Sequence, residues 1–126
     1  MLYDSTFLIH LSGQRGRVQR ERAQEFLRAR LDEPIYTSRV AWAEFAEGCE
    51  TNEVVTHHLA LFAVIEVDET VAWEASRISR QLDRTGLHIG DNDVWIAATA
   101  VAHNLPLVSR NRRHFARVPG LQVVSY

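Results

Sequence analysis

Asp4, Glu44, Asp91 and Asp93 each stand where a strand ends or a helix begins, inside sequence otherwise apolar enough to read as core. Buried carboxylates need a counter-charge. In a parallel-sheet protein ligand sites form at the carboxyl ends of the strands, and acids gathered there suit a hard divalent cation, Mg²⁺ or Mn²⁺. The six His residues and Cys49 show no zinc-ligand spacing, His57 and His58 being merely adjacent, so no structural zinc is expected. A lone cysteine forms no internal disulfide.

The faces on which the acids fall sharpen this reading. At 100° per residue Glu44 shares a helical stripe with Ala41, Phe45 and Gly48, and Asp93 shares one with Ile96, Ala97 and Ala100. Both stripes are apolar enough to face a core, so two helices carry an acid inward. Asp4 closes the strand that begins Met1-Leu2-Tyr3, which brings a third acid to the same sheet edge, where three acids could meet. Each has a plainer role available. Asp91 fits a helix N-cap at least as well as a metal ligand, Asp93 can serve the helix dipole, and Asp4 can cap the turn begun by Ser5 and Thr6. Glu44 resists such a reading unless an Arg such as Arg39 or Arg110 neutralises it, because a core-facing Glu is rarely buried unpaired.

The elements that must position these residues alternate along the chain. A strand covers residues 1–4, an apolar turn 7–11 and a polar Gly-containing loop 12–17. Helical spacing over Glu21 to Leu31 runs through Ala23, Phe26, Leu27 and Leu31, and Pro34 opens a strand at 35–37. Ser38 caps a helix running to about Cys49, a further helix covers 51–62 and a strand 64–67. A helix at 70–85 ended by Gly86, another at 91–104, and strands at 107–109 and 121–125 complete the order. This pattern predicts an α/β fold, a mainly parallel five-stranded sheet flanked by helices. The 126 residues fit one domain, residues 1–126, and no stretch approaches a membrane span, so a reducing cytoplasm is the expected setting. Net charge is −2, yet all 14 bases are Arg and none is Lys. Local clusters at Arg15, Arg17, Arg20 and Arg22, and at Arg110, Arg112, Arg113 and Arg117, are equally suited to phosphate and to pairing with surface acids.

Read together, the motifs resemble the PIN-domain proteins of the VapC toxin type. LYDSTFLI resembles the opening strand with its metal-binding Asp, here Asp4, and a supporting hydroxyl at Thr6. TSRVAWAEFAEG resembles the second motif, whose acid is Glu44, and IGDNDVWIAATA the third, whose acid is Asp93. LPLVSRNRRHF followed by VPGL resembles the fourth motif and the close of the chain. The resemblance spans essentially the whole chain and implies a PIN-like three-layer sandwich. It also implies a Mg²⁺- or Mn²⁺-dependent endoribonuclease in which Asp4, Glu44 and Asp93 are catalytic metal ligands, with Asp91 secondary.

One departure lies in the fourth motif. Many relatives carry a further Asp where this chain has Asn111, and Thr is frequent where it has Ser109; both are expected in supporting roles. Asn111 offers a carbonyl oxygen or an amide donor but no charge, which weakens the case for a second ion. Arg110, Arg112 and Arg113 are the candidates to position the RNA backbone, while Trp42 and Trp95 suit core or dimer packing better than base stacking. The resemblance implies a homodimer, an RNA substrate and a small VapB-like antitoxin laid across the acidic groove, and an RNA-maturation role in place of a toxin's stays open. Other readings remain: a catalytically weak PIN-like module that binds RNA or protein, and a phosphate-transfer protein using Asp4 as nucleophile, which the lack of Lys disfavours.

Overall fold

The computed structural model describes all residues, 1–126. Five short parallel strands, β1 (Leu2–Tyr3), β2 (Tyr36–Ser38), β3 (Ala63–Ile65), β4 (Leu107–Val108) and β5 (Val123–Val124), form one sheet in the order β3-β2-β1-β4-β5. Helices flank it: α1 (Ser5–Ser12), α2 (Arg17–Arg28), α3 (Arg39–Ala46), α4 (Asn52–His58), α5 (Glu69–Thr85), α6 (Asp91–Ala102) and α7 (Arg112–Phe115). The expected α/β architecture with a parallel five-stranded sheet is what the chain forms. Because the chain moves from β1 outward to β3 and then returns to β4 on the other side of β1, the strand order reverses between β1 and β4. A crevice opens outside the carboxyl ends of strands at such a reversal.

Three elements depart from expectation. Residues 7–11, expected as an apolar turn, belong to α1, because Asp4 caps that helix by accepting from the Phe7 N–H at 2.9 Å and Gly13 ends it at φ 89°. Helix α2 begins at Arg17, four residues before the expected Glu21. The one apolar residue of its first turn, Val18, is exposed and off the buried stripe, and the turn is held by an Arg17–Glu21 pair at 2.6 Å, so apolar spacing could not reveal it. The single turn α7 was not expected. Elsewhere the boundaries move by a few residues: Ser38 caps α3 through the Ala41 N–H, but α3 ends at Ala46 and α4 at His58.

The core joins Leu2, Tyr3, Leu107 and Val108 of the central strands to Phe7, Phe45, Ile96 and Phe115 from the helices. Ala41 and Phe45 of α3, and Ile96, Ala97 and Ala100 of α6, are fully buried, so both acid-bearing stripes do face inward. No helix is long and apolar enough to cross a membrane.

Candidate active site

Asp4 lies at the carboxyl end of β1 and Ser109 just past β4, facing each other across the strand-order reversal. The Ser109 hydroxyl donates to Asp4 Oδ2 at 2.5 Å while Oδ1 takes the Phe7 N–H. Asp4 is only 3% exposed. Burial pushes its pKa from the ordinary 3.8 up to about 6, and the negative charges of Asp93 and Glu44 add to the rise, against the opposing pull of the Ser109 and Phe7 hydrogen bonds. Asp4 therefore fulfils the capping role and still presents a carboxylate to its acidic neighbours.

Glu44 is half-buried on α3, and burial first and Asp93 next raise its pKa. The Ser5 hydroxyl and Asn92 amide offset part of this rise. Its Oε1 is the one buried side-chain polar atom with no hydrogen-bond partner. An orphaned acceptor of this kind costs free energy unless something else approaches it. Neither expected Arg partner neutralises it: Arg39 pairs with Glu66, Nε to Oε2 at 3.0 Å, and Arg110 lies over the Tyr126 ring.

Asp93 sits in the first turn of α6. Its Oδ2 meets His114 Nδ1 at 3.0 Å and, more weakly, the Asn111 amide at 3.5 Å. With its proton on Nδ1, His114 donates to the carboxylate and fixes its orientation. Sequence reasoning missed His114. The signal available was its spacing from Asn111, which a helical turn after β4 places on one side.

The remaining expected residues fall as follows. Thr6 is exposed with no hydrogen bond from its hydroxyl; one residue back along α1, Ser5 is the hydroxyl turned toward the acids, since adjacent helical positions point about 100° apart. Asp91 is exposed at the first position of α6 and is not its cap, a place taken by Gly90. It lines a groove against α5 with Ser79, Val94 and Trp95. Arg110, Arg112 and Arg113 are exposed beside Asn111.

Asp4, Glu44 and Asp93 couple through their charges, but no three His, Cys, Asp or Glu side chains stand close enough to grip one ion as placed. The expected meeting of three acids is thus a facing arrangement. Asp4 is tied to Phe7 and Ser109, and Asp93 to His114, which holds the carboxylates apart. The donor chemistry nonetheless fits a hard cation: oxygen ligands, raised pKa values at Asp4 and Glu44, and one buried oxygen without a donor.

The PIN domain family model matches residues 1–121. The chain belongs to the PIN-domain family. Similar proteins include Ribonuclease VapC1 of Methanocaldococcus jannaschii, 34% identical over 84 residues that make up 64% of this chain and 62% of that protein. Ribonuclease VapC1 of Haemophilus influenzae strain R2866 is 26% identical over 97% of this chain and 96% of its own length. Among solved structures, VapBC2 from Rickettsia felis bound to a DNA fragment from their promoter superposes with a TM-score of 0.84 at 22% identity, covering 100% of this chain and 99% of that one. That likeness concerns the PIN fold. The three-layer sandwich and the parallel sheet expected from the sequence are those of the family.

Proposed function

We propose that this PIN domain, one domain over residues 1–126, is a Mg²⁺- or Mn²⁺-dependent endoribonuclease and the toxin of a type II toxin–antitoxin pair. The observation that carries the proposal is the buried Asp4 facing Glu44 and Asp93, with Glu44 Oε1 left without a donor. The names of the relatives, ribonucleases VapC1 and VapC2, support the reaction class.

Asp4, Glu44 and Asp93 would hold the ion, with Asp91 at the margin. A bound divalent cation supplies charge stabilisation at a phosphoryl oxygen and eases deprotonation of the attacking water. The chain's own residues do the rest. Ser109 and the Phe7 N–H hold both oxygens of Asp4, and His114 and Asn111 orient Asp93. Arg110, Arg112 and Arg113 offer exposed forks to the phosphates of RNA on the same side as Asn111.

A VapB-like antitoxin is the proposed partner, and likeness to a toxin–antitoxin complex from Klebsiella pneumoniae, at 28% identity and a TM-score of 0.71, supports it. So does a surface feature of this chain. Leu31 and Leu61, 57% and 62% exposed, line one groove with Leu11 and Leu27, an apolar patch that water disfavours. A homodimer and a cytoplasmic setting complete the proposal.

The test is cleavage of a structured RNA pool by antitoxin-free protein with Mg²⁺, Mn²⁺ or EDTA, beside Asp4→Asn and Asp93→Asn. Cuts that need metal and vanish in both variants are expected. Well-folded protein that binds RNA and never cuts it would overturn the reading in favour of a binding module.

A further inference from the structure

The outward face of α5 carries a feature that neither the acid site nor the core uses. The inward face of this helix is formed by Val71, Ala75, Ile78 and Leu82, all buried. At 100° per residue, Trp73, Arg77, Arg80 and Arg84 fall within about 60° of one another on the opposite side, over roughly 16 Å of helix. Trp73 is 63% exposed, more than any other large apolar side chain in the chain. Arg77 meets only Glu74, at a long 3.4 Å, and Arg80 and Arg84 have no ion-pair partner. Of the flanking acids, Asp83 is turned off the stripe and occupied by His88 at 3.0 Å, and Glu69 stands at the helix start, one turn before Trp73 and beyond the three arginines.

This stripe is continuous with the acid site. A depression over Trp73, Arg80 and Arg84 adjoins, through Ser76, the groove between α5 and α6. That groove in turn adjoins, through Asp91, the depression over Gly90, Asn92 and Asp93. A path of shallow concavity therefore runs from Asp93 to Arg84.

We infer that the Trp73–Arg77–Arg80–Arg84 stripe is the track for the single-stranded RNA that flanks the cleaved bond. The inference rests on the ribonuclease reading and adds to it the surface that holds the substrate's flank. Unstructured RNA is recognised by basic grooves that follow the backbone together with aromatic faces on which bases stack. The stripe supplies both: three guanidinium forks for phosphates and one solvent-facing indole for a base. Self-association through it is disfavoured, because a two-fold contact would set Arg against Arg. Asp91 is the one acid at the junction of groove and site, so the backbone would keep to the α5 rim there.

The experiment compares wild type, the Arg77→Gln/Arg80→Gln/Arg84→Gln triple variant and Trp73→Ala in two assays. One is binding of a fluorescent unstructured RNA of about 20 nucleotides in EDTA across a salt series; the other is Mn²⁺-dependent cleavage of that RNA and of a tetranucleotide too short to leave the acid site. All four positions are exposed, and circular dichroism checks that the fold is kept. The triple variant should bind at least tenfold more weakly, with a salt slope smaller by about 2, since each lost phosphate contact on a single strand accounts for about 0.7. Trp73→Ala should lose about fivefold or more in affinity. Both should cut the tetranucleotide as wild type does while KM rises for the long RNA. Unchanged binding and unchanged KM for the long RNA overturn the track, as does a drop in oligomeric mass that accompanies the affinity loss, which would make the stripe a protein interface. If wild type binds the long RNA through these residues yet cuts neither substrate, the ribonuclease reading falls and the track stands. If it neither binds nor cuts, both fall.

Discussion

Replacing Asp4 by Asn should make the metal-free protein more stable while removing its activity. The folded state raises the pKa of this carboxyl from 3.8 to about 6. The native protein therefore holds the proton more tightly than the unfolded chain does. Where the native state binds more protons, stability falls as pH rises, so the contribution of Asp4 is full below pH 4 and declines through pH 6. A difference of roughly two pH units corresponds to about 3 kcal/mol. At pH 7.5 in EDTA the wild-type protein bears this whole cost. An Asn bears none of it, since its carbonyl oxygen still accepts from the Phe7 N–H and its amide can donate to the Ser109 hydroxyl, which turns to accept.

For a chain of 126 residues that is roughly 10 °C in Tm as an upper value. The assay is thermal melting followed by circular dichroism at pH 4.5, 6 and 7.5, in EDTA and in Mn²⁺. Wild type should lose stability across that range in EDTA and regain it with Mn²⁺, by about 2.7 kcal/mol when the ion is at a hundred times its Kd. Asp4→Asn should show a much flatter pH response and little gain from Mn²⁺. A variant that melts at or below wild type at pH 7.5 in EDTA, or a wild type whose Tm is flat from pH 4.5 to 7.5, would refute the claim that burial of an ionised Asp4 is the cost.

Ser109→Ala removes the donor on Asp4 Oδ2. Asp4 then protonates more readily, and Mn²⁺ affinity measured calorimetrically should fall about tenfold or more at pH 6.5 and much less at pH 8.5. Asn111→Asp places a fourth carboxylate beside Asp93, whose Oδ2 is 3.5 Å from the Asn111 amide nitrogen. It should lower Tm in EDTA and enlarge the gain from Mn²⁺, with a titration moving toward two ions. Tyr126→Phe loses the hydrogen bond to His10 Nδ1 at 2.9 Å but keeps the ring against Phe7 and Phe26, so urea melts should show a cost of about 1 kcal/mol. Tyr126→Ala, which also empties the space beside those rings, should cost about 3 kcal/mol or more.

What the sequence made legible were the features that conflict with their surroundings. Glu44 and Asp93 stand out because a charge interrupts an apolar helical stripe, and Gly86 marks the end of α5, where it takes a left-handed φ of 67°. The partners were far less visible. Ser109 and Asp4 are 105 positions apart, and His114 and Asp93 are 21 apart. The fourth-motif resemblance singles out Ser109 as a supporting residue, but nothing in its local spacing shows that it meets Asp4. Ser5 and Thr6 carry the same chemistry, and only the rotation of α1, a helix not anticipated, decides which hydroxyl faces the acids. Trp73 and its three arginines escaped notice because a solvent-facing stripe on an amphipathic helix looks ordinary until the absence of ion-pair partners is known.

The topology explains why the costly acid is Asp4. The sheet order leaves β1 at the centre, paired with β2 on one side and β4 on the other, and the crevice of the strand-order reversal opens at its carboxyl end. A side chain at that position is covered by α1 and by the segment after β4, so it cannot be solvated by water as Asp91 is. The fold therefore demands either an apolar residue there or a carboxylate with a counter-charge supplied from outside. Its hydrogen bonds from Phe7 and Ser109 hold the carboxylate in place without cancelling its charge, and the neighbouring Glu44 and Asp93 work against it. Stability and ion binding are thus set against each other at one residue, which is why a substitution that ends catalysis is expected to strengthen the metal-free fold.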